Sequence, residues 1–129
     1  MTVRAALYER LKATPDLVAV VGTRIYPLNA SDTVEAPWCL YRLVSQEPRH
    51  VIDGAYSNSA FEFEIGLFGP SYDQLDTAAS ALDASLGSNA FEHAGQRYVS
   101  HLQTQRDDYE PEEQNFVIFI DLTIQEQRS

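Results

Sequence analysis

An α+β domain with an antiparallel sheet is the fold class this sequence predicts, on three observations. Phe116, Ile118, Ile120, Leu122 and Ile124 recur at every second position, and Phe61, Phe63, Ile65 and Leu67 do the same with Ala60, Glu62, Glu64 and Gly66 between them. A period of two marks a strand with one buried face. Apolar residues fall instead at helical spacing in two other places, Val3, Leu7 and Leu11, and Leu75, Ala78, Ala79, Leu82 and Leu86. The strand-like segments also form two hairpin-like pairs, 38–46 with 60–68 and 98–105 with 116–125. The expected architecture is a sheet of four to five strands, with two to three helices packed on one face and a projecting β-hairpin.

The elements follow in order. Residues 3–13 read as an amphipathic helix. Thr14-Pro15-Asp16 offers an N-cap, a proline at the first helical position and an acid in the first turn, so a second short helix runs from Pro15 to Val21. Gly22 can take the left-handed conformation that ends it. Residues 24–26 read as a brief strand and 28–36 as a polar loop bracketed by Pro27 and Pro37. Residues 38–46 are a strand with apolar side chains on both faces, and 47–59 form a long polar connection containing Pro48 and Gly54. Gly69-Pro70 stops the strand over 60–68. Ser71-Tyr72-Asp73-Gln74 has the form of a capping box, in which each side chain satisfies a free backbone N–H, and the helix it opens ends at Gly87. A weaker strand over 98–105, an acidic loop or turn over 107–114 and the strand over 116–124 complete the chain. Val117 and Phe119 make the start of that last strand apolar on its second face as well, so that end is expected to be covered on both sides.

The 129 residues fit one domain, residues 1–129, able to bury an ordinary core without metals or disulfides. A single cysteine permits no intrachain disulfide and suits a reducing compartment. No apolar run reaches the roughly 20 residues that cross a bilayer, and Met1-Thr2-Val3-Arg4 leads into a helix pattern rather than a secretory h-region. The expected setting is cytoplasmic, away from membranes. A formal net charge of −10 with one lysine argues against gripping nucleic acid, which needs clustered cations to release counterions. It leaves room for a surface along which DNA slides.

Chemistry is sparse. His50, His93 and His101 are far apart in sequence, the first two in expected loops and the third in a strand, and none has a Cys or Glu at metal-ligand spacing. Cys39 lies in an apolar strand, where a free cysteine behaves as a small hydrophobe. Glu62 and Glu64 share the wet face of a half-buried strand, which explains them without catalysis. Asp107, Asp108, Glu110, Glu112 and Glu113 form an acidic turn without the glycine or spacing of a calcium loop. No phosphate-binding or hydrolase motif is present. The expectation is a protein that is not an enzyme and takes no cofactor. The segment Arg49, His50, Val51, Ile52, Asp53, Gly54, Ala55, Tyr56 is unusual, because it puts apolar residues into a connection longer than a tight hairpin needs. Either Val51 and Ile52 extend the two strands or they arm a loop. In both cases a hairpin projects, able to add a strand to a neighbour or insert into a partner.

Several segments together are similar to one family. They are Ala6-Leu7-Tyr8-Glu9-Arg10-Leu11, Val21-Gly22-Thr23-Arg24-Ile25-Tyr26-Pro27, Pro37-Trp38-Cys39-Leu40-Tyr41, Ser45-Gln46-Glu47-Pro48 to Asp53-Gly54, the helix from Tyr72 to Leu86, and Arg106-Asp107-Asp108-Tyr109-Glu110-Pro111. In order and spacing they resemble the tail-completion, or tail-terminator, proteins of long-tailed phages and prophages, also described as head–tail joining proteins, from about Ala6 to Gln125. The resemblance implies a structural virion protein at the head–tail junction, assembled in the host cytoplasm. It would cap the tail tube as a hexameric ring, ending polymerisation and meeting the tail-tube protein on one side and the head-completion or connector protein on the other. Under that reading Arg49, His50, Val51, Ile52, Asp53 and Tyr56 are the expected subunit or partner interface. Asp107, Asp108 and Glu110 would line an acidic bore through which DNA passes without specific binding. The alternatives are a monomeric ligand- or peptide-binding module and a small enzyme. A well-formed apolar pocket would favour the first, and a cleft joining His101 or Cys39 to a perturbed carboxylate the second.

Overall fold

The computed structural model describes residues 2–27, 36–50 and 57–127. Helices α1 (Thr2–Lys12) and α2 (Pro15–Val21) lead into strands β1 (Ile25–Pro27), β2 (Trp38–His50) and β3 (Ser57–Gly69). Helix α3 (Tyr72–Leu86) then precedes β4 (Ser88–His93), β5 (Gln96–Glu110) and β6 (Asn115–Gln127). The strands form one six-stranded sheet in the order β1-β2-β3-β6-β5-β4, antiparallel throughout except that β1 runs parallel to β2. The four to five strands expected become six.

The added strand is β4. It is hard to see in sequence because only Phe91 of its six residues is buried, so no alternation shows. Ala94 and Gly95, at φ 52° and 81°, make the two-residue turn into β5, a geometry that matches the twist of antiparallel strands. His93 therefore lies in a strand and not in a loop. The acidic loop is displaced in the same way. Asp107 to Glu110 belong to β5, paired through Glu110 with Asn115, and the turn is confined to residues 111–114. Both corrections have one cause, since an edge strand that is wet on both faces carries no hydrophobic period.

The helices cover one face of the sheet, as expected. In α1, Val3, Ala6, Leu7 and Leu11 are buried along one stripe, and α3 buries Leu75, Ala78, Ala79, Leu82 and Leu86. They meet Cys39 and Tyr41 of β2, Phe61, Phe63, Ile65 and Leu67 of β3, Tyr98 of β5, and Ile118, Ile120, Leu122 and Ile124 of β6. Each such aliphatic side chain removed from water is worth about 1.5–3 kcal/mol.

The helix ends depart from expectation in detail. Thr14 occupies the N-cap of α2, yet its hydroxyl makes no cap bond. It donates instead to the Arg10 carbonyl at 2.9 Å and approaches Ser85 Oγ at 3.2 Å, tying the α1–α2 corner to the end of α3. Gly22 does end α2 at a positive φ of 61°, open to glycine at little cost. Gly87 ends α3 in right-handed conformation, its N–H bonded to the Asp83 carbonyl at 2.8 Å. Ser71 Oγ accepts from the Gln74 N–H, the first half of the predicted capping box.

Two β-bulges interrupt the pairing, between Leu43 and Ser45 in β2 and between Leu102 and Thr104 in β5. Leu43 pairs with Phe63, Phe63 with Leu122 and Leu122 with Leu102, so both bulges fall on one line across four strands. Bulges add local twist and bend, and here they curl the sheet about that line. Strands β2 and β3 pair as far as His50 with Ser57. Val51, Ile52, Asp53 and Tyr56, the tip of the expected hairpin, lie outside the described residues, as does most of the expected 28–36 loop.

Candidate functional site

The register places a second set of residues on the face without helices. Its rows run Trp38–Phe68–Val117–Asp108, then Leu40–Gly66–Phe119–Arg106, then Arg42–Glu64–Asp121–Thr104. The first two rows are aromatic. Trp38 stacks on Phe68 with centroids 4.1 Å apart and planes within 5°, and Phe68 meets Phe119 edge-on at 6.0 Å. Gly66 makes room for this, because a Cβ there would stand 2.8 Å from the Phe68 ring. The Arg106 guanidinium lies 5.0 Å from the Phe119 centroid. Val117 is 1% exposed, as its two-faced apolar pattern predicts.

The third row is ionic. Glu64 accepts from Arg42 Nε at 3.0 Å and from Arg106 Nη2 at 2.7 Å, and Arg106 Nη1 donates to Asp121 at 3.0 Å. Thr104 Oγ1 also donates to Asp121, at 2.5 Å. The carboxylate of Glu64 is thus held between two guanidinium groups, and these bonds raise the proton affinity of Arg106, with Glu64 the larger cause. Beyond this row, at the line of bulges, lies an open concavity of about 580 Å³, its lining mixed, from Val44, Ala60 and Phe63 to Glu62, Gln103 and Thr104. Ser45 donates to Glu62 and Gln103 to Thr123 on its walls. The wet face expected for Glu62 and Glu64 is this one.

The predicted acidic residues are divided by the pleat. Asp107 points to the helix side, where Tyr72 Oη donates to it at 2.7 Å, a bond that raises the Tyr72 phenol from its ordinary value. Tyr72 and Tyr109 flank Phe116 at 5.9 and 5.0 Å, and both tyrosines are exposed. Asp108 and Glu110 alternate to the open face. Partial desolvation, then the charges of Glu113 and Asp108, push the Glu110 carboxyl above the usual range. Arg49 and His50 lie at the end of β2.

The remaining sequence candidates do not converge. Cys39 is fully buried, and desolvation pushes its thiol up to about 12, the opposite of a reactive thiolate. His101 is exposed on β5 and His93 half-buried on β4. Among the described residues, no group of three or more His, Cys, Asp or Glu side chains is placed to hold a metal ion. No helix of the described residues is long and apolar enough to cross a membrane.

The ion-pair row was invisible in the sequence. Arg42, Glu64, Arg106 and Asp121 become neighbours only once four strands are in register; the one hint was that alternation put Glu64 on the wet side.

One face sealed by helices, one carrying aromatic and ionic side chains in the open, and no convergent reactive groups among the described residues define a small α+β protein whose exposed features are surfaces rather than a cleft. The model of the family described as tail completion protein gp17 matches residues 5–125. The chain belongs to that family, and its role is a structural one in a phage tail. No curated protein matches it. Among solved structures it is similar in fold to a chain from the virion of a native gene transfer agent particle, at a TM-score of 0.76 and 16% identity, over 98% of this chain and 96% of that one.

Proposed function

We propose that this chain caps the phage tail tube, ends its polymerisation and forms the ring that joins tail to head. The observation that carries this reading is the family match over nearly the whole chain. The likeness to a chain of a gene transfer agent virion supports a place within a phage-like particle. A ring of copies, hexameric in this reading, needs a heterologous contact that closes by rotation. The sheet offers the means, since strand edges and the β2–β3 arm are features through which small subunits join. Arg49, His50, Val51, Ile52, Asp53 and Tyr56 form that arm's contact with a neighbouring copy or with the tail-tube and head-connector proteins.

The acidic bore is proposed in a narrower form. Asp108 and Glu110 share the open face, whereas Asp107 is held by Tyr72 on the helix side. DNA would pass such carboxylates without adhering. Assembly takes place in the host cytoplasm.

Light scattering at low and high salt, with electron micrographs of the protein alone and mixed with growing tail tubes, tests the reading. Six-fold rings, or tubes whose ends are capped and whose growth stops, are expected. A strict monomer that also leaves tube growth untouched overturns it.

A further inference from the structure

The sheet ends in two interrupted edges. On one side β1 covers β2 only at residues 39–41, so among the described residues 42–50 pair with no strand on that side. On the other, β4 covers β5 only at residues 96–101, and 103–110 pair with no strand there. Both stretches are longer than the short edges by which sheets avoid edge-to-edge association, and 42–50 carries the Leu43/Ser45 bulge and Pro48 within it. They match in length to within one residue.

We infer that residues 103–110 of β5 in one copy add antiparallel to residues 42–50 of β2 in a second copy, head to tail, so that the sheet runs on from subunit to subunit. The partner is a second copy of this chain, for three reasons. The strand directions agree, because β2, β3, β6 and β5 alternate, so β5 and the next β2 run antiparallel when copies are related by rotation. The ends interlock. Centring one stretch on the other sets the neighbour's β1 level with the turn at 111–114, and sets β4 beyond the neighbour's His50, so each short strand begins where the other free edge ends. The charges then agree too. Arg42 of one copy comes level with Glu110 of the next, and both side chains alternate to the open face. Glu110 otherwise sits beside Asp108 and Glu113. Asp108, two residues back on the same face, meets the same boundary level with Val44 of the next copy.

The offset also bears on closure. The two free stretches are displaced along the strands by about five to six residues, roughly 18 Å, while the repeat of four strands, from β2 to the β2 of the next copy, is about 19 Å. Continuing such a sheet tilts its strands about 40° to the axis, within the roughly 35–45° at which sheets close on themselves. This inference rests on the ring proposed above and assigns its subunit contact.

The test uses Val44→Cys and Asp108→Cys, both exposed and level with one another at this register. Cys39, buried, stays silent. Oxidation of the double variant, in rings or on capped tail tubes, is expected to give a covalent ladder ending at the ring. A mixture of the two single variants should give dimers and nothing larger, and either single variant alone should give no product. Charge reversal at Glu110 (E110R), which touches no ion pair within the described chain, should weaken assembly at least tenfold. Rings or caps that persist without cross-links, or single variants that cross-link to themselves, overturn the edge contact and leave the ring standing. Absence of rings and caps in the parent protein overturns the ring itself.

Discussion

The two faces of the sheet are held by different physics. Along β6, Ile118, Ile120, Leu122 and Ile124 enter the helix-covered core with at most 1% of their surface exposed. Val117, Phe119, Asp121 and Thr123 alternate with them onto the open face, where stacked rings and paired charges replace burial against a helix. The core face works by area removed from water and tolerates little loss of volume. The open face works by cross-strand pairs, each worth a few tenths of a kcal/mol to about 1 kcal/mol. A surface held together that weakly can be altered without unfolding the domain, which is what an assembly surface requires.

Substitutions at adjacent positions of one strand break this comparison most sharply. Leu122→Ala should cost about 2–5 kcal/mol by urea unfolding, with transfer and cavity effects adding. Thr123→Ala, one residue on and on the other face, should stay within about 0.5 kcal/mol. Equal losses would mean the open face is as integral as the core.

Gly66→Ala comes next, because it tests the tightest packing on the open face. The new Cβ would meet the Phe68 ring that lies under Trp38. A loss of about 1–3 kcal/mol is expected from overpacking, with a change in Trp38 fluorescence. An unchanged spectrum and stability would show the aromatic block to be loose.

Glu64→Gln should cost at most about 1 kcal/mol, as for ion pairs near solvent, and the difference should shrink in high salt. It leaves Arg42 without its carboxylate and Arg106 with Asp121 alone. A loss that salt does not reduce would show the row to be held by shape rather than charge.

The smallest effect is at Glu110, read in the unassembled chain. Its carboxyl is raised above the usual value, so ionising it costs more in the folded state than in the unfolded one. The fold therefore loses stability as pH rises through the carboxylate range. Glu110→Gln should be slightly more stable than the parent at pH 7, and that advantage should vanish at pH values below the ordinary carboxylate range. A melting-temperature series against pH would show it, and a parent that is the more stable at pH 7 would contradict it.

The α+β class, the helix from Tyr72 to Leu86, both central strands and the family were legible in the residues alone. Each of these rests on a local period or an ordered set of local segments, which the chain carries whatever its neighbours do. Legible too were the burial of Cys39 and the placing of Glu62 and Glu64 on the face away from the helices. That Ser88–His93 is a strand, that Asp107–Glu110 continues one, and that Arg42, Glu64, Arg106 and Asp121 meet follows only from the assembled sheet. An edge strand is held by backbone hydrogen bonds to a partner distant in sequence, and those bonds are blind to side-chain pattern. The ionic row needs four strands in register, with two bulges placed on one line. Removing either bulge would turn the side chains beyond it to the other face.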